Sequence, residues 1–342
     1  MKVLITHELF PPESFGGGEI PVYEMAKNLK KAGICVEILT TGNPKIKNYD
    51  GIKTIRLPIN RYMMNFAWKS IQKHAKKFDL IQTNNYNACL ASYVAGKKIG
   101  KPVICHVHGI YTNQWIKMRG LILGTLSKET EKFQLKQKYN KIVFSSNYAQ
   151  KEGLNIGIPK KQTIIIPPGI PREGKYKPTK KQMFVLHVGR LSKQKGLDQL
   201  IAAAVTLPEI NFKLIGRGED ETRLKKIAPK NVEFLGYLSD KDVIKYYNKA
   251  AIFCLPSLGE GFGLVLTEAM ASGCAIISTI PLDFEGIRIE QNNTRQLINA
   301  IYHLYKNPKL TQKMGKKNLK LSKKYNWKKF TKAYMNLYEK LV

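Results

Sequence analysis

Acidic residues are scarce in this chain. Asp and Glu number 25 against 57 Lys and Arg in 342 residues, a formal charge of +32. That balance excludes an acidic, cation-gathering surface and directs attention to anionic partners: a nucleotide, a nucleic acid or a negatively charged membrane. The excess is not a detachable tail, because 26 basic residues stand against 10 acidic ones before Pro171 and 31 against 15 from there on. Cysteine is sparse too. Cys35, Cys89, Cys105, Cys254 and Cys274 form an odd, scattered set without CxxC spacing. This excludes a disulfide framework or zinc ribbon and predicts buried, reduced thiols. No apolar run approaches the roughly 18–20 residues that cross a bilayer, so an integral membrane protein is not expected. The start, MKVLITHELFPP, turns polar at His7 and Glu8 and reads as a first strand instead of a signal peptide, which predicts a cytoplasmic protein.

What is present is material for packed cores, 43% hydrophobic residues in a length that favours two domains. Short β-rich runs alternate with helix-period segments. VLIT (3–6), CVEILTT (35–41), IKTIRL (52–57), DLIQT (79–83), PVICHVH (102–108) and KIVFSS (141–146) alternate with helical stretches at 20–31, 61–77, 88–99 and 116–139. The pattern restarts with MFVLHVG (183–189), NFKLIG (211–216), VEFLG, AIFCLP (251–256) and CAIIST (274–279), again separated by helices. Such alternation predicts doubly wound parallel sheets. PPGIPREGKYKPTKKQ (167–182), poor in core-forming residues, reads as a linker between two Rossmann-like domains, and the chain ends in basic helices.

Four loops follow strands and carry chemistry. In SLGEGFGLVLTEAMASG (257–273) a strand enters a turn with Glu260 and Gly261-Phe262-Gly263, then a helix from Leu264 with Glu268 one turn inside. Glycines there let backbone N–H groups approach a ligand, and a helix amino end favours phosphate or electron-rich sugar oxygens. A carboxylate one turn in can accept both hydrogen bonds of a vicinal diol. The bland alternative is a tight loop with Glu268 on a solvated face. In HVGRLSKQKG (187–196), Arg190 and Lys195 leave a strand together, which suits a diphosphate, although cations are common in this chain. Gly216-Arg217-Gly218 adds a weaker loop. HELFPPESFGGGE (7–19), with Gly16 and Gly17 before a helix, has the form of a phosphate cradle but matches neither a Walker A nor a GxGxxG pattern. His106 and His108 share one strand face; without a third ligand they read as packing or hydrogen-bonding groups, and no metal site is assigned.

Taken in order, the FPP…GGGE loop, His108-Gly109, VGRLSKQKG, LIGRGE…NVEFLGYLS and Glu260-(seven residues)-Glu268 make the chain resemble family 4 (GT4) of the retaining glycosyltransferases, along nearly its whole length. The resemblance implies the GT-B fold, two Rossmann-like domains facing a central cleft. The first would span 1–168 on the acceptor side, with a returning carboxyl-terminal helix at about 326–342; the second, 169–325, would bind a nucleotide sugar. It implies a hexose-type donor linked to UDP or GDP, an acceptor hydroxyl, and no cofactor or metal. Arg190 and Lys195 would bind the diphosphate. Glu268 would hold the ribose, and Glu260 with the backbone of Gly261, Phe262, Gly263 and Leu264 the sugar. Gly216 and Arg217 would line the donor site; Gly16, Gly17 and His108 would contact it from the first domain. Two departures stand out. Pro167-Pro168-Gly169-Ile170-Pro171 lacks the family's Asn and Asp, and PLDFEGIRIE shortens the loop after Thr279, leaving Glu285 to stand for its glutamate.

The acceptor is read from the surface. RYMMNFAWKSIQKHAKK (61–77) interleaves apolar residues with Arg61, Lys69, Lys73, Lys76 and Lys77 around Trp68, a basic amphipathic pattern suited to anionic lipid. Lys306–Lys332 holds eleven lysines and no acid. This favours a lipid-linked or envelope glycan as acceptor, at the inner face of the membrane. The alternatives are a soluble enzyme acting on a small acceptor, with these apolar residues packed inward, and a remote nucleic-acid binder, for which no RNP, KH, helix-turn-helix or zinc pattern exists.

Overall fold

The structure, a computed structural model, describes residues 1–342 apart from Phe15 and Gly17. It divides into two compact units, Met1–Pro171 with Asn326–Val342, and Arg172–Tyr325.

The first unit is built on eight strands: β1 (Lys2–Thr6), β2 (Cys35–Thr41), β3 (Asn48–Tyr49), β4 (Ile52–Leu57), β5 (Leu80–Asn84), β6 (Val103–Val107), β7 (Lys141–Phe144) and β8 (Thr163–Ile165). Their order is β3-β4-β2-β1-β5-β6-β7-β8, parallel except where β3 pairs antiparallel with β4. Every residue of β5 and β6 is buried, as expected of parallel strands covered by helices on both faces. The order reverses at β1, so the loops after β1, β5 and β6 gather at one topological switch point. The last helix, Trp327–Glu339, belongs to this unit. Trp327, Phe330, Tyr334, Leu337 and Tyr338 recur at helical spacing and enter the core with Val3, Ile5, Val22 and Met25.

The second unit has six parallel strands: β9 (Gln182–Val188), β10 (Asn211–Ile215), β11 (Val232–Gly236), β12 (Ala250–Leu255), β13 (Ala275–Ser278) and β14 (Gly286–Arg288). Their order is β11-β10-β9-β12-β13-β14, with the switch between β9 and β12. Arg190 and Lys195 follow β9, and Glu260 follows β12.

Several expectations are corrected. The helix read over 61–77 is a 3₁₀ turn, Arg61–Phe66, followed by a helix at Trp68–Ala75. Asn65 bonds the Tyr62 carbonyl and the Asn87 side chain, offering the backbone a local alternative to a helix. The stretch 116–139 holds two helices, Gln114–Arg119 and Leu121–Leu135, separated at Gly120. Cys35 is exposed; the other four thiols are buried. The run 167–182 holds the boundary between the two units, at Pro171–Arg172, and its later part is built into the second: Lys181 Nζ donates to the carbonyl of Ser272 at 2.5 Å, and Gln182 begins β9.

Candidate active site

In the second unit the loops after β9 and β12 are tied together. Lys195 Nζ donates to Glu260 Oε1 at 2.5 Å, and Ser257 Oγ donates to the same oxygen at 2.7 Å. Gln194 Nε2 reaches the Gly259 carbonyl at 2.9 Å, while Leu258 N–H donates to the Gln194 carbonyl at 2.8 Å. Close approach of the two loops demands glycine at position 196. Its φ is +66°, and a Cβ there would sit 2.2 Å from the Pro256 carbonyl oxygen. At Gly216, after β10, a Cβ would lie 1.9 Å from the Gly189 oxygen, so the loops carrying Arg190 and Arg217 also pack backbone to backbone. The Arg190 and Arg217 side chains are exposed and make no ion pair with the described residues. Lys195, Glu260 and two solvent-facing guanidinium groups thus lie on neighbouring loops at the carboxyl end of one parallel sheet.

Gly261 and Gly263 bracket Phe262, which is buried edge-on against Tyr325 with ring centroids 5.6 Å apart. Gly263 adopts a left-handed conformation and starts the helix Leu264–Ala271, whose first N–H groups have no side-chain cap. That leaves a helix amino end available to an electron-rich ligand. His187, beneath these loops, has Nδ1 on the Cys254 carbonyl at 3.0 Å, and its Nε2 is buried without a partner among the described residues. Burial, aided by the Lys195 charge, pushes its pKa down to about 4, so it is a neutral imidazole at neutral pH.

Glu268 is not on a solvated face. It is 4% exposed. Its Oε1 accepts from Arg172 Nη1 and from the Tyr176 hydroxyl at 2.7 Å, and Oε2 accepts from the Tyr247 hydroxyl at 3.2 Å. Arg172 Nη2 also meets Asp240 Oδ1 at 2.6 Å. Arg172 and Tyr176 escape a sequence reading, since they sit in the Pro- and Lys-rich run; Tyr247 lies on the buried stripe of Asp240–Lys249, where its type and period point to the core. Glu285, in the shortened loop, has its carboxylate 3.3 Å from Lys317 Nζ.

In the first unit, His108 closes β6. Its N–H donates to Asn85 Oδ1 at 3.0 Å and its Nε2 lies 3.1 Å from Asn84 Oδ1. The His106 ring is 4.5 Å away, with its nitrogens on Tyr334 and Ser145, so those positions are spoken for. Burial holds the His106 pKa down to about 3; His108 is lowered by burial and then by His106 and His7. Gly16 N–H donates to Glu19 Oε2 at 2.7 Å, a carboxylate seated where the cradle reading places a phosphate. Gly17 lies outside the described residues.

The basic stretch divides its apolar residues between core and surface. Met64 and Ile71 are buried and Trp68 packs on the core with Lys69 and Lys98 over its ring. Arg61, Lys69, Lys73, Lys76 and Lys77 are exposed. Within the stretch itself Tyr62, Met63 and Phe66 on the 3₁₀ turn are exposed, and a second group of exposed apolar side chains, Leu121, Ile122, Leu123, Leu126 and Phe133, lies on the helix Leu121–Leu135, with Ile122 83% exposed. Gln134 Nε2 bonds Asn65 Oδ1 at 2.8 Å and joins the two elements.

Comparison with known proteins covers the whole chain. Residues 15–173 match the family Glycosyltransferase Family 4, and residues 172–321 match Glycosyl transferases group 1. The chain is 28% identical to an uncharacterized glycosyltransferase of Methanocaldococcus jannaschii, covering 100% of this chain and 99% of that protein. It is 27% identical to phosphatidyl-myo-inositol mannosyltransferase of Mycolicibacterium smegmatis, over 78% of this chain and 74% of that protein. Among solved structures, Anabaena HepE in complex with UDP-glucose superposes with a TM-score of 0.82 at 17% identity, covering 100% of both chains.

Proposed function

The chain belongs to the glycosyltransferases of family 4 and group 1, and from that premise we propose that it moves a hexose-type sugar, with retention, from a UDP- or GDP-linked donor to an acceptor hydroxyl. The observation that carries this reading is the coupling of Lys195, Ser257 and Glu260 at the switch point of the second sheet, beside an uncapped helix amino end. In the proposal, Lys195 and Arg190 take the diphosphate and neutralise the charge that develops as it departs, with no divalent ion required. Glu260 is released from Lys195 to accept from the sugar hydroxyls, and Glu268 accepts from the ribose. The bond from the anomeric carbon to phosphate breaks as the acceptor oxygen bonds from the same side. The acceptor's proton passes to the departing phosphate oxygen through an oxocarbenium-like transition state. We assign acceptor binding to the first domain, with His108 as its sugar-side group.

For the acceptor we propose a lipid-linked or envelope glycan at an anionic membrane face. The supporting features are the exposed apolar side chains of helix Leu121–Leu135 and turn Arg61–Phe66, edged by Lys117, Arg119 and Lys128, and the lipid named in the mycobacterial relative. The second reading, a soluble acceptor, keeps the same donor chemistry. Thermal shift with UDP- and GDP-sugars tests the donor, since a bound ligand raises the melting temperature. Transfer assayed in EDTA tests metal independence, and proton NMR of the product gives the anomeric configuration. No stabilisation by any nucleotide sugar would overturn the reading.

A further inference from the structure

Glu268 is unusually placed for a group that must receive a ligand. A carboxylate offers about four lone-pair positions. Three are engaged, by Arg172, Tyr176 and Tyr247, and the group is almost wholly out of water. Desolvation favours the protonated acid, which would lose acceptor capacity. Burial does raise the Glu268 pKa, with the Arg172 charge and the three hydrogen bonds opposing it. Among the described residues that face this carboxylate, Arg172 brings a full positive charge to it. Tyr176 and Tyr247 are neutral donors, their hydroxyls raised by burial. Asp240 sits behind the guanidinium, Lys181 is directed to the Ser272 and Tyr247 carbonyls, and the lysines of the packed helix Pro308–Ser322 are exposed.

Arg172 is also built in at some cost. It is the first residue of its unit, its φ is +55°, a left-handed conformation uncommon for a side-chain-bearing residue, and its Nε is buried without a partner among the described residues. Such a conformation persists where its surroundings over-determine it and is a pointer to function. We infer that Arg172 is a positioning residue for donor binding: clamped between Asp240 and Glu268, its guanidinium keeps the Glu268 carboxylate charged and in one orientation for the ribose diol. The inference rests on Glu268 as ribose ligand.

The test joins two readouts on Arg172→Met, Arg172→Lys and Glu268→Gln. The first is a ¹³C NMR titration of the glutamate carboxyl signals from about pH 5 to about pH 8, with Glu268 assigned by the Glu268→Gln spectrum. The second is calorimetric binding of UDP, and of GDP in parallel, across the same range. In the native protein the Glu268 signal titrates at lower pH than in Arg172→Met, and nucleotide affinity, taken relative to Glu268→Gln to remove the nucleotide's own phosphate titration, varies less with pH. In Arg172→Met the signal titrates within the range and affinity falls by about tenfold for each pH unit below the new midpoint. Arg172→Lys restores the native profile, which a merely structural role would not produce. A Glu268 signal that does not titrate in folded Arg172→Met overturns the inference, as does titration with pH-independent nucleotide affinity while Glu268→Gln binds weakly. If Glu268→Gln binds both nucleotides as tightly as the native protein, the ribose reading falls, and the donor role of Arg172 with it; the titration then shows separately whether Arg172 sets the charge.

Discussion

At the scale of single residues, the site is a set of charges held ready by one another. Lys195 and Glu260 are both mostly buried and lie 2.5 Å apart, each holding the place that the proposed mechanism gives to substrate. Replacing Lys195 by Ala removes the charge proposed to meet the departing diphosphate, and kcat is expected to fall by about 10²–10³, the usual consequence of losing one such group. The melting temperature should change little, since the Gln194 bonds that join the loops remain. A kcat within threefold of native, about 0.6 kcal/mol, would remove Lys195 from the mechanism. Tyr176 makes the opposite prediction. Its hydroxyl occupies a lone pair of Glu268 Oε1 that the proposed ribose diol would take, so Tyr176→Phe should tighten UDP or GDP binding by roughly fivefold, the worth of one hydrogen bond. Calorimetry decides it, and equal or weaker binding of both nucleotides would show that Tyr176 helps instead of competing. The glutamates were legible because a seven-residue spacing after a strand end places one at the turn and one inside the helix. Arg172 was not: it reaches Glu268 across 96 residues of sequence from a segment with no period to read.

Secondary-structure elements show a different boundary of legibility. The period of 61–77 revealed an apolar face, and the structure turns much of that face inward through Met64 and Ile71, because a repeat of 3.6 fixes which residues share a side and not what that side meets. The helix Leu121–Leu135 drew no such notice. Its buried residues are Gly124, Glu131, Gln134 and Leu135, where Glu131 accepts the N–H groups of Tyr111 and Thr112, so its polar side is the one that docks. Its apolar residues Ile122, Leu126 and Phe133 are left on the exposed side. Ile122→Ser with Leu126→Ser should therefore weaken binding to anionic vesicles by more than about tenfold, since each large side chain contributes about 1.5–3 kcal/mol on leaving water. Donor hydrolysis in solution should be unchanged. Sedimentation with phosphatidylglycerol vesicles measures it; equal sedimentation of variant and native protein would shift the proposal to a soluble acceptor.

For the molecule as a whole, two restarts of the strand-helix alternation were enough to foresee two doubly wound sheets, while the short edge strands β3, β8 and β14 were too brief for any pattern. Each sheet keeps neutral imidazoles at the ends of its central strands, His106 and His108 in one unit and His187 in the other. This makes stability depend on pH with a definite sign. An unfolded histidine takes a proton near pH 6.5, whereas burial holds His106 down to about 3 and His187 to about 4. Below about 6.5 the unfolded chain binds more protons than the folded one, so each such histidine withdraws about 1.4 kcal/mol per pH unit until its folded pKa is reached. Glu131 and Glu268, raised by burial, pull the other way between about pH 4.5, where their unfolded forms titrate, and their raised folded values; three lowered histidines against two raised glutamates leave the net slope with the histidines' sign. Urea unfolding should show its midpoint falling steadily from about pH 7 to about pH 5. His106→Asn, whatever its absolute stability, should flatten that slope in the first unit and leave the second unit's slope as it was. A midpoint that stays constant across the interval would mean these imidazoles are protonated in the fold, and the hydrogen bonds assigned to them would have to be redrawn.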